Sequence, residues 1–260
     1  MHTRLQRVLR QHALASAAWG VESLPIRPRP AQLPAVEPPV PTPTPARQPR
    51  PKRAGAPQSL LDAIRERYER DAPHAHFPTD HTTIVFGEGA PDARLMFIGE
   101  APGADEDRLG RPFVGRAGQL LDKMITAMGL KREEVYIANV LKTRPPNNDT
   151  PTPEQARRCA PYLFAQIAAV QPEAIVTLGL PATRLLLETD AAMARLRGTW
   201  ASFTIPEPDP LDLLPPDLLG QTFAVMPTYH PAYLLRSYTQ ENRQKVWSDL
   251  RLVMDRLGIA

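Results

Sequence analysis

Four short apolar runs, Leu95–Ile98, Val135–Val140, Ala174–Leu178 and Phe223–Met226, punctuate the second two-thirds of this chain. Their brevity and their β-branched and aromatic residues predict strands. Between them, apolar positions recur at spacings of three and four. These patterns start near Gly115, Pro153 and Pro181, the last two with proline close to the first turn, where its missing N–H costs nothing. From Asn242 to Leu257, the residues Val246, Leu250, Val253, Met254 and Leu257 form another helical stripe, read as core packing. Strands alternating with helices imply a parallel sheet covered on both faces, an α/β chain folded as a three-layer α/β/α sandwich around four parallel strands. The acidic, proline-containing stretch 206–217 reads as a surface elaboration before the last strand.

The first 58 residues do not fit this scheme. Pro25 to Pro57 holds twelve prolines and almost no periodicity, so a disordered, semi-extended linker is expected over 25–58. Charge changes at the same place. Residues 1–58 carry nine Lys/Arg against two Asp/Glu, and residues 59–260 carry 22 against 26, so the overall +3 originates in the arm. Two readings stand: salt-sensitive contact with DNA phosphates, or a solvated linker. Ahead of it, Leu5, Val8, Leu9, His12 and Ala13 share one helical face, followed by Trp19, Val21 and Leu24. A docking peptide for a partner protein (residues 1–24) and a cleaved targeting peptide are both open.

With 42% apolar residues, the remaining 59–260 can bury a sizeable core as one domain. No stretch has the length and apolarity to cross a membrane. A single cysteine, Cys159, excludes a disulfide framework within the chain and fits a reducing, cytoplasmic setting.

The most informative stretch is Gly99–Gly118, GEAPGADEDRLGRPFVGRAG, where five glycines and two prolines join a predicted strand to a predicted helix. Such a loop lies where open α/β sheets bind ligands. It carries neither the dinucleotide fingerprint GxGxxG nor the phosphate loop GxxxxGK[ST]. Over its whole length, with Glu106-Asp107 in register, it resembles the first signature of the family 4 uracil-DNA glycosylases. The resemblance continues through Tyr136-Ile-Ala-Asn-Val140, Arg144-Pro-Pro-Asn147, Thr150-Pro-Thr-Pro153, Leu178-Gly179 and Met226-Pro-Thr-Tyr-His-Pro-Ala-Tyr-Leu-Leu-Arg236.

That resemblance implies a monomeric, monofunctional glycosylase that hydrolyses the N-glycosidic bond of deoxyuridine in DNA, close to the nucleoid. It also implies site residues. Phe113 matches the residue that stacks on the pyrimidine. Asn139 is the candidate for pairing with a carbonyl and an N–H of uracil, an edge that cytosine reverses. His230 is the candidate donor to the pyrimidine oxygen as negative charge develops there. Glu100 and Glu106 match the family's loop acids, and neither is singled out as the base. The position of a water-activating aspartate in other uracil-DNA glycosylases corresponds to Ala101, which leaves the backbone of Ala101 and Gly103 to hold water or base. Tyr233, Leu234 and Leu235 are placed to wedge into the flipped-out gap. Lys142, Arg144 and Arg236 are candidates for phosphate contact.

One feature departs from the family, whose members commonly hold an iron–sulfur cluster on four cysteines. Here the earlier pair is missing from Ala72–His81, Thr143 stands at the third position and only Cys159 remains. One thiolate cannot hold a cubane, so no cluster is expected. His74, His76 and His81 lack the spacing of a structural zinc site, and no other metal or cofactor is expected. Two further functions stay open: a DNA-binding scaffold that keeps the pocket with little catalysis, and a glycosylase of broader base choice.

Overall fold

A computed structural model describes residues 56–259. In chain order these form α1 (Ala56–Asp71), β1 (Glu88–Gly89), β2 (Leu95–Gly99), α2 (Ala104–Leu109), α3 (Arg116–Ala127) and β3 (Tyr136–Asn139). There follow α4 (Pro153–Val170), β4 (Ala174–Leu178), α5 (Leu180–Leu187), α6 (Met193–Leu196), β5 (Ala201–Thr204), β6 (Thr222–Thr228), α7 (Pro231–Arg236) and α8 (Gln240–Leu257).

The sheet has six strands in the order β1-β3-β2-β4-β6-β5. Its central four, β3, β2, β4 and β6, are parallel and are the four apolar runs. The antiparallel edges β1 and β5 are the addition. With two residues in β1 and the half-exposed Ala-Ser-Phe-Thr of β5, neither has the apolar run that marks a buried strand.

Alternation along the central strands divides the core in two. Met96, Ile98, Ala138, Ile175 and Val225 face α1, α4 and α5, while Leu95, Phe97, Ile137, Val176 and Met226 face α3 and α8. Both sheet faces are therefore covered, as the near-continuous apolar strands require. α4 starts where the sequence places it, through reciprocal caps. Gln155 N–H donates to Thr152 Oγ1 at 3.2 Å and Thr152 N–H to Gln155 Oε1 at 2.8 Å, with Pro153 in the first turn.

Two boundaries move. α1 begins at Ala56, so Pro57 belongs to a helix rather than to the linker ending at residue 58. The stretch 206–217 is more than surface: Leu211 is buried in the same core as α1, Arg67 donates to the Leu211 carbonyl at 2.9 Å, and Asp209 accepts three backbone N–H groups. Leucines scattered among prolines and aspartates have no periodicity to betray their burial. The helix expected over residues 1–24 and nearly all of the expected 25–58 linker lie outside the described residues.

Candidate active site

The carboxyl ends of β2, β3 and β6 open onto a cavity of about 380 Å³, lined by Glu100, Phe113, Asn139 and His230 among others. Successive connections leave β2 to β3 on one side and cross back to β4 on the other. That reversal makes the crevice where open α/β sheets take ligands. The sequence shapes its floor by what it leaves out. A Cβ on Gly99 would lie 2.4 Å from both Asn139 Oδ1 and Phe113 Cζ, so only glycine lets these side chains meet. Phe113 itself has a φ of 51°, in the left-handed region, and is 5% exposed. Its ring centroid lies 5.6 Å from that of His230.

Asn139 ends β3 with 1% of its surface exposed, and its Oδ1 is buried with no hydrogen-bond partner. Such an orphan costs about 1–3 kcal/mol, so it persists where a ligand satisfies it. His230 caps α7. Ala232 N–H donates to His230 Nδ1 at 3.0 Å, which makes Nδ1 the acceptor and leaves the proton of the neutral ring on Nε2. Burial, with the Arg236 charge adding to it, holds the imidazole pKa down at about 4. The ring is therefore a neutral donor at physiological pH.

The two acids separate. Glu106 accepts the N–H groups of Val114 and Gly115, each at 2.8 Å, and of Gly103 at 3.1 Å. With both oxygens accepting from the backbone, Glu106 braces the glycine-rich loop at the edge of the cavity it lines. The Gly103 N–H is likewise taken and is not free to hold a base or water. Ala101 and Gly103 remain as small lining residues. Glu100 is the carboxylate that stays available: burial raises its pKa, against a Thr150 hydrogen bond and the Arg236 charge, which lower it.

Two of the expected DNA contacts are overturned. Lys142 is completely buried, its Nζ donating to the Asn139 carbonyl at 2.7 Å and to Gln166 Oε1 at 2.5 Å, and burial lowers its pKa to about 7. It supports β3 from behind, with no exposed surface to offer a phosphate. Leu234 is completely buried against the α3 and α8 core. At the fourth position of a helix capped by His230 it points inward, as Tyr233 points out. Replacing Leu234 with alanine should lower stability by about 2–5 kcal/mol in denaturant titrations, whereas a solvent-exposed wedge residue would leave the midpoint unmoved. Arg236 is exposed and lines the cavity, Tyr233 is exposed on α7, and Arg144 is half-buried with its Nε donating to Asn148 Oδ1 at 2.8 Å.

A sequence model of the uracil DNA glycosylase superfamily matches residues 86–251. The chain belongs to that superfamily. Within it, the chain is 41% identical over 195 residues to a type-4 uracil-DNA glycosylase of Thermotoga maritima, covering 74% of this chain and 92% of the relative. It is 37% identical over 205 residues to a type-4 uracil-DNA glycosylase of Archaeoglobus fulgidus, covering 77% and 94%. A type-5 uracil-DNA glycosylase of Pyrobaculum aerophilum matches at 36% over 115 residues, covering 38% and 50%.

The lobe where this superfamily's type-4 branch would place a cluster is filled. Tyr68, completely buried, stacks on His74 with centroids 5.5 Å apart and meets Tyr162 edge-on at 5.0 Å, while His74 meets His81 at 4.7 Å. The Tyr68 hydroxyl faces Thr143 and Cys159. Burial pushes the Cys159 thiol up to about 11, and it is the one cysteine of the chain. His81 Nδ1 pairs with Thr79 Oγ1 at 2.7 Å. Among the described residues no group of three or more His, Cys, Asp or Glu is arranged to hold a metal ion. These residues do not fit an iron–sulfur cluster.

Several contributors to this glycosylase site had no signal of their own. Ala117 and Thr150 line the cavity. Behind β6, the buried Asp249 takes a two-nitrogen contact from Arg197 and accepts from Thr228 Oγ1 at 2.6 Å. Arg197 lies over Tyr229, which precedes His230 in the chain and stacks on Tyr233 at 4.8 Å. An aspartate in an otherwise apolar helical stripe is the one sequence cue that marks Asp249.

Proposed function

We propose that the domain excises uracil from DNA by hydrolysis, with Phe113, Asn139, His230 and Glu100 in distinct roles. The observation that carries this reading is the unpartnered, buried Asn139 Oδ1 facing a cavity bounded by an aromatic ring and a neutral imidazole. An acceptor there takes the N3–H of uracil, while the amide N–H₂ donates to the neighbouring carbonyl. Phe113 stacks on the flipped pyrimidine.

As the C1′–N1 bond breaks, its electron pair passes to the uracil ring. His230 Nε2–H donates to the ring oxygen where that charge gathers. The ionised Glu100 stabilises the oxocarbenium-like sugar, water adds to C1′ and loses a proton to solvent, and the departing uracil anion takes one up from solvent. An abasic site and free uracil result. Tyr233, Arg236 and Arg144 are the surface contacts to DNA in this reading.

We further propose that the protein works without an iron–sulfur cluster, as a monomer, in the cytoplasm at the nucleoid. The basic arm would add phosphate contacts, with residues 1–24 docking a repair partner. Purified protein incubated with a labelled oligonucleotide bearing one U, then treated with alkali, should yield a strand break at the U. Matched oligonucleotides with C or T there should stay intact, and iron analysis of the same preparation should find well under one equivalent. Binding of the U oligonucleotide without cleavage would replace the enzyme reading by the scaffold one.

A further inference from the structure

We propose that Arg132, outside the cavity, is the positioning residue that holds Phe113 in place to stack on the base, an inference that rests on the role given to Phe113 above. Arg132 opens the short turn ahead of β3. Its Nη2 donates to the Pro112 carbonyl and its Nη1 to the Phe113 carbonyl at 3.1 Å. The same guanidinium reaches Asp122 Oδ1 in α3 at 2.6 Å and Glu88 Oε1 in β1 at 3.3 Å. Glu88 is held in turn by Arg111 at 2.6 and 2.7 Å. One cation therefore ties two successive loop carbonyls to a helix and to a strand.

The loop needs such a clamp. A bulky side chain with φ at 51° is a conformation that persists only where the surroundings over-determine it. Gly118 constrains the same peptide from the helix side, since a Cβ there would lie 1.9 Å from the Phe113 carbonyl oxygen. Arg132 supplies the opposing hold, its side chain 17% exposed. A planar fork with five donors serves two carbonyls and two carboxylates together, and a lysine ammonium cannot. With the clamp gone, Phe113 can relax from the left-handed region, swinging its ring away from Asn139 and His230.

The test compares Arg132→Met, Arg132→Lys, Phe113→Ala and the double variant Arg132→Met/Phe113→Ala in excision kinetics on a U oligonucleotide. Inhibition by free uracil is measured alongside. Arg132→Met should lower kcat/KM by about 100-fold, the scale of a displaced contact remote from the chemistry. It should weaken inhibition by free uracil and leave affinity for uracil-free DNA unchanged. Arg132→Lys, which keeps the charge beside Asp122 and Glu88, guards against misfolding: it should unfold near the wild-type temperature yet recover little activity. In the Phe113→Ala background, Arg132→Met should cost about twofold or less, because coupled residues are not additive. Full additivity, or wild-type uracil inhibition in folded Arg132→Lys, overturns the positioning role. Undiminished excision by Phe113→Ala alone would instead overturn the base-stacking reading beneath it.

Discussion

Replacing His230 with alanine lowers the single-turnover rate of uracil excision by about 100- to 1,000-fold, the usual cost of removing one preorganised donor. The expectation rests on the ring's protonation. Ala232 N–H occupies Nδ1, so a neutral imidazole carries its proton on Nε2, and with a pKa of about 4 it stays neutral through the physiological range. Affinity for uracil-free DNA should change little.

The pH dependence follows from the signs of two shifts. Acidification through 6.5, the ordinary histidine value, does not charge His230, so no change in rate should appear there. The acid limb should instead follow Glu100, whose pKa is raised above 4.5 by burial, as its carboxylate is neutralised beside Arg236. Glu100→Gln should lower the rate and remove that limb. Stability carries the histidine signal: between pH 6.5 and about 4 the unfolded chain binds a proton that folded His230 refuses, so stability declines as pH falls through this window. Thermal unfolding of His230→Ala should show a shallower decline. A wild-type rate in that variant would remove His230 from the mechanism.

Asn139→Ala should lower kcat/KM on a U oligonucleotide by a similar factor, about 100- to 1,000-fold, because the amide that reads the base also donates to an oxygen gaining charge. Its second signature separates function from folding. Asn139 Oδ1 is buried without a partner in the free protein, and removing such a group relieves its desolvation cost. The variant should therefore unfold at or above the wild-type temperature while losing excision. Parallel losses of activity and stability would mean that Asn139 only holds β3 in the sheet.

Gly99–Gly118 shows how much of the site was legible in sequence. Its density of glycine and proline announced a ligand loop, and the family resemblance named Glu100, Phe113, Asn139 and His230, which line one cavity. The same reading failed at Lys142 and Leu234, because a charge or a leucine near a motif carries no mark of the direction it faces. It also treated Glu106 and Glu100 alike. Only the fold shows three backbone N–H groups converging on the first.

Local chemistry written in the chain thus determined the α/β class, the four central strands, the position of the site loop and the lack of cysteines for a cluster. Periodicity, glycine content and thiol count are properties of neighbours in sequence. Tertiary structure alone decided which acid remains available, that Lys142 lies behind Asn139, that Tyr68 and His74 fill the cluster lobe, and that Arg132 grips the Phe113 loop. Each of these depends on side chains separated along the chain meeting in space. Burial and hydrogen-bond satisfaction, which assign their roles, exist only after the layers have packed.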